Sequence, residues 1–171
     1  MRAIPSPASH TPAEDDPVHA DAFWRLIALI DQPQLAASDE SGALAPLQAA
    51  LEEVEIAELF AFDELLARAL YELDTPSHLD GSGASSTSSD GFLYVRCWVV
   101  ARGLEHYVAV RKDPALMPQS LEEWCEPLLL VAQEAWAAKT GADPADYPHI
   151  STVSYETGAN QAAWRGRRPD L

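Results

Sequence analysis

Apolar positions along this chain recur with the period of a helix rather than a strand. Phe23, Ile27 and Ile30 fall at helical spacing, Trp24 and Leu26 widen the stripe, and Asp21 stands where an N-cap would open it. Pro33 is expected to end this helix. Ser41-Gly42 opens a second stretch, with Leu44, Leu47 and Leu51 on one face. A long amphipathic run follows, in which Ile56, Leu59, Phe60, Asp63, Leu66, Ala67 and Leu70 lie near one another. Glu52, Glu53, Glu55, Glu58 and Glu64 form much of the opposite, solvated side. The segment 91–102 is apolar nearly all round, as a central helix would be, with Asp90 as its cap. Its β-branched and aromatic residues make a strand the alternative. Gly103 has the place of a helix C′ residue, a further helix runs to Lys112, and Asp113-Pro114 stops it. Ser120 and Glu123 have capping-box spacing, Pro127 suits the first turn of a helix to about Thr140, and Gly141 closes it. The pattern predicts an all-α, single-domain bundle of five or six helices.

Composition divides the chain further. Residues 1–20 hold four prolines among polar residues and read as a disordered leader before a helical domain at 21–141. Within that domain, 74–90 reads as a flexible Gly/Ser loop. It lacks the lysine and the glycine spacing of a phosphate-binding loop. Residues 142–171 read as an extended or disordered tail with a basic end, clipped onto the body by Tyr147, Ile150 and Tyr155. No internal repeat is present.

Charge changes the picture most. Across 171 residues, 11 Lys and Arg face 27 Asp and Glu, a formal net charge of −16. Arg165, Arg167 and Arg168 against Asp170 leave the tail at +2, and Arg2 adds one, so the remaining body carries −19. Such a body repels phosphate backbones and anionic lipid heads, which argues against nucleic acid and membrane as partners and leaves a basic protein partner open. The simpler reading is that the acidity keeps a small protein in solution. The longest apolar runs, such as 128–132, are too short to span a bilayer, and the N-terminus has no apolar signal region. Cys97 and Cys125 both fall in expected helices and fit free, buried thiols, so a cytoplasmic location is expected.

A set of short motifs then recurs in a fixed order. Phe23-Trp24-x-Leu26-Ile27 is followed by Ser89-Asp90-Gly91-Phe92-x-Tyr94-x-Arg96-x-Trp98-Val99, then Gly103 and Tyr107. Asp113-Pro114-x-Leu116, Val131-Ala132-x-Glu134-Ala135-Trp136 and Lys139-Thr140-Gly141 complete it. Over roughly residues 21–141 the chain resembles the bacterial family called domain of unknown function 4240. The family usually has an ordered, Trp-containing stretch before Asp90 that ends in Ser-Asp-Asp-Gly-Phe. Here the Gly/Ser run replaces it, and Ser89 stands in place of the first acid. The resemblance implies a helical, cytoplasmic domain and no particular reaction.

Four charged residues sit in apolar helix faces: Asp63, Asp90, Arg96 and Glu134. Buried charges are costly unless paired, so a shared network is expected. In a functional version, Arg96 floors a cleft walled by Tyr94, Trp98 and Tyr107 with Glu134 opposite, and Asp90 belongs to the same ligand-binding set. In the plainer version, Asp90 is only an N-cap and Arg96–Glu134 is a structural ion pair; this version is preferred. Trp24, Trp98, Trp124 and Trp136 read as core, whereas Trp164 beside three arginines reads as an anchor for the tail or a partner. The five histidines have no ligand spacing, so no metal and no cofactor is specified. His106 alone is weak evidence for an acid or base, and no Gly-x-Ser-x-Gly occurs, so no catalytic residue is assigned. The leading functional expectation is an acidic interaction module that acts as adaptor, regulator or immunity-type binder of a basic partner. The alternative is a small-molecule binder or enzyme with its pocket around Arg96 and Glu134.

Overall fold

The computed structural model describes residues 17–83, 88–120 and 122–167. Among them are eight α-helices and no strand. These are α1 (Pro17–Ile27), α2 (Gln32–Ala36), α3 (Glu40–Glu53), α4 (Ile56–Glu72), α5 (Pro76–Gly81), α6 (Ser89–Ala101), α7 (Leu104–Lys112) and α8 (Val131–Thr140). Short 3₁₀ turns lie at Pro114–Leu116, Glu126–Leu129 and Pro144–Asp146. The fold is all-α as the periodicity predicts, but the number of helices is eight rather than five or six.

The two additional helices are α2 and α5, and both carry within their first two residues a proline that reads in the sequence as a break. Proline cannot continue a helix, yet its fixed φ suits the first turn, where its missing N–H has no partner in any case. Each start is completed by a cap. The Asp31 carboxylate accepts from the Gln34 N–H at 3.0 Å, and the Thr75 hydroxyl accepts from the His78 N–H at 3.2 Å. The expected loop at 74–90 is therefore helical in its first half, while residues 84–87 lie outside the described residues.

Other boundaries shift for similar reasons. Helix α1 starts at Pro17, so Asp21 lies inside it and residues 17–20 of the expected leader are helical; residues 1–16 lie outside the described residues. The cap of α6 is Ser88, whose hydroxyl accepts from the Gly91 N–H at 3.2 Å, and Asp90 stands exposed in the first turn. Ser120 accepts from the Glu122 N–H at 3.1 Å in a local turn and opens no helix. The tail's last residues, 168–171, are also outside the described residues.

Helix α6 settles the choice between helix and strand. Phe92, Leu93, Val95, Cys97, Val99, Val100 and Ala101 are all buried on it, so tertiary burial outweighs the modest helix propensity of its β-branched residues. It packs against α4 and α7, while α3 lies along α8 and α1 crosses α3 and α4. Leu47 and Leu51 of α3 and Leu59 and Leu70 of α4 are wholly buried, each contributing about 1.5–3 kcal/mol of transfer free energy. Gly103 joins α6 to α7 at φ 92°, a left-handed backbone that side chains other than glycine rarely adopt. Both cysteines are free and buried. No helix among the described residues is long and apolar enough to cross a membrane.

Candidate functional site

Four of the six residues expected to form a site share α6 but not a face, while Tyr107 lies on α7 and Glu134 on α8. Asp90, Tyr94 and Trp98 follow at intervals of four, so they line one side of the helix. Arg96 is two residues from Tyr94, about 200° around the axis, and points inward. Tyr94 donates to the Glu126 carboxylate at 2.9 Å and packs against Trp124 with ring centroids 5.6 Å apart. That hydrogen bond pushes the Tyr94 phenol up to about 12. Trp98 meets His106 edge-on at 5.6 Å and carries the Arg102 guanidinium over its ring. Tyr107 projects elsewhere: its hydroxyl bonds Glu72 at 2.8 Å, and its ring tilts against Trp24 at 5.0 Å.

Arg96 is wholly buried. Its Nη1 donates to the Leu70 carbonyl at 2.8 Å, and its Nη2 donates to the Tyr155 carbonyl at 3.0 Å and the Thr157 hydroxyl at 3.1 Å. The guanidinium also lies 4.7 Å above the Phe92 ring centroid. Glu134 is exposed on α8, so the structure does not bring the two together. Burial lowers the Arg96 pKa, and the charge of Asp74 is the largest opposing influence.

Asp74 is the residue that sequence reasoning missed. Its carboxylate is fully buried and accepts from the N–H of Gly158 at 3.0 Å, the N–H of Asn160 at 2.9 Å and Trp164 Nε1 at 2.9 Å. Arg96 and Asp74 thus hold residues 155–164 against α4 and α6 through backbone groups, and buried Trp164 closes that contact. The signal was an acid just past the end of a helix, which reads equally well as a turn residue. Only the distant partners distinguish the two.

Among the concavities of the described residues, two combine a distinctive lining with depth. The first is an apolar groove of about 380 Å³ between α1 and α4. Phe23, Leu26 and Leu29 form one wall, Ala61, Phe62 and Leu65 the other, and Val54 one end. Phe23 and Phe62 meet with ring centroids 5.2 Å apart. Arg25 and Glu58 are its charged lining residues. Exposed Glu53 and Glu55 flank Val54 in the chain, so the rim at that end is acidic.

The second is a polar cavity of about 480 Å³ between Asp63 on α4, Gln133 on α8 and the segment that carries Tyr147, His149 and Tyr155. Burial raises the Asp63 pKa, with His149 and the Tyr147 hydroxyl opposing that shift. The His149 ring stacks on Phe60 at 5.3 Å, with its Nε2 3.8 Å from Glu64. Among the described residues, no three His, Cys, Asp or Glu side chains gather as a metal would require.

Among the described residues, eight helices around one core, with an irregular C-terminal segment anchored by buried charges, define a small helical domain. Residues 18–138 match the family described as Protein of unknown function (DUF4240), and the chain belongs to that family. The match includes Arg96 and Asp74 but ends before the segment they anchor. No significantly similar curated protein or solved structure was found.

Proposed function

We propose that this protein is an acidic helical interaction module that receives an amphipathic helix with a basic polar face in the α1–α4 groove. The observation that carries this reading is an apolar groove with an acidic end on a chain of net charge −16. A helix laid in such a groove would place apolar side chains at i, i+3 or i+4, and i+7 against Phe23, Leu26, Leu29 and Leu65. The acidic surroundings favour encounter with a basic segment and disfavour an acidic one, which supplies selectivity more than raw affinity. Burying the groove's apolar side chains supplies the attraction that remains when salt screens the charges.

Fluorescence anisotropy with two labelled model helices tests this. Both carry the same leucine stripe; one has a lysine-rich polar face and the other a glutamate-rich one. The lysine helix is expected to bind saturably, and to bind about tenfold more weakly when salt is raised from 50 to 300 mM, figures set roughly by Debye screening. Leu29→Lys, at a side chain already 44% exposed, should weaken binding without disturbing the core. Equal binding of both helices, or no effect of Leu29→Lys, would remove the reading.

A further inference from the structure

Beyond the groove, we infer that the cavity between α4, α8 and residues 147–156 is a binding site for a small protonated amine, with the Asp63 carboxylate as its counter-ion. The inference rests on what faces that carboxylate. The charged and hydroxyl groups that act on Asp63 include His149, Tyr147, Glu64 and Tyr155. None of the cavity's described lining residues is Lys or Arg, and Glu156 adds a second acid. Glu64 is already engaged, since it accepts from Arg68 Nε at 2.8 Å and from the Thr152 N–H at 2.8 Å. Asp63 therefore sits partly withdrawn from water, and among the described lining residues only His149 can offer it a positive charge, an arrangement that costs free energy when the cavity holds only water.

An ammonium group in the cavity would supply that missing charge. The Tyr147 and Tyr155 side chains line the same space, and aromatic faces attract cations where solvent is scarce. Tyr147 is held in place by edge-on contacts to Phe60 at 5.7 Å and Trp136 at 5.9 Å, so the wall is built before a ligand arrives. Gln133, Ser151 and Ser154 are further polar residues of the lining. A volume of about 480 Å³ suits a small organic cation.

Titration of the full chain with butylammonium chloride, followed by amide shifts in NMR spectra, tests the inference. The neutral near-isostere 1-butanol, titrated in parallel, separates charge recognition from apolar filling. Saturable shifts centred on residues 63, 133, 147 and 155 are expected for the amine and not for the alcohol, with a dissociation constant of roughly 1–10 mM. Asp63→Asn should weaken amine binding by at least about tenfold. Gln133→Lys, which supplies a cation from the opposite wall, should do the same without altering Asp63. Equal responses to amine and alcohol would overturn the inference. So would shifts scattered over the acidic surface that leave Asp63→Asn unchanged, or no saturation below about 100 mM.

Discussion

His78 is buried with its two ring nitrogens in different roles. Nε2 lies 3.2 Å from the Val110 carbonyl, which can only accept, so Nε2 carries the hydrogen; Nδ1 lies 2.7 Å from the Thr75 hydroxyl and accepts. Burial depresses the His78 pKa below its ordinary 6.5, with nearby Arg96 adding to the effect. His106 is depressed too, first by burial and then by Arg102. A depressed folded-state pKa means that the unfolded chain binds the proton first. The stability held above pH 6.5 is therefore lost as pH falls below that value, at no more than about 1.4 kcal/mol per pH unit for each histidine. Urea midpoints between pH 7 and pH 5 should fall in the native protein and fall less steeply in His78→Gln. Parallel slopes in the two proteins would contradict this assignment. At the same scale, Arg96 shows how far single residues were legible. Its presence in an apolar stretch announces a buried charge in need of partners. Its partners were not legible, because two of the three are backbone carbonyls, which every residue carries and no sequence pattern marks. Helix geometry alone does separate Arg96 from Tyr94 and Trp98 once α6 is taken as a helix. The turn of about 100° per residue is enough to split the expected cleft.

Among the elements, the segment after α8 has the least regular structure and the most specific attachment. Its composition reads as extended chain, and its bends and turns agree with the absence of helical periodicity. What composition does not reveal is that Asp74, more than 80 positions earlier, receives its Gly158, Asn160 and Trp164 donors. Contacts across such separations leave no local period. Asp74→Asn replaces one acceptor oxygen with a donor and removes the largest negative charge acting on buried Arg96. The change should cost about 3 kcal/mol, in the range for leaving buried hydrogen-bond groups unsatisfied, and should accelerate amide hydrogen exchange at Gly158 and Asn160 before it affects α3 or α8. An unchanged urea midpoint, together with retained protection at those two amides, would show that the carboxylate does not anchor the segment. The helices themselves were legible wherever an apolar stripe ran for three turns, as in α4. The one-turn helix α2 and the short α5 escaped because five or six residues carry too little periodicity, and each proline signals a start and a stop equally well.

For the whole molecule, the central question is what the groove receives. The sequence makes the charge plain and the groove invisible. Phe23 and Leu26 belong to a stripe that reads as ordinary core, Phe62 and Leu65 fall outside the stripe read along α4, and only the packing of α1 across α4 leaves Leu26, Leu29 and Leu65 partly uncovered. Exposed Trp124, Leu116 and Leu130 are not among its lining residues and are the competing apolar positions. The most direct measurement is amide shift mapping of the isotopically labelled protein during titration with the unlabelled lysine-faced leucine helix. Perturbations confined to residues 22–29, 54–58 and 61–65, and absent in Leu29→Lys, are the predicted result. Perturbations centred on residues 116, 124 and 130, with the α1–α4 amides unmoved, would contradict it.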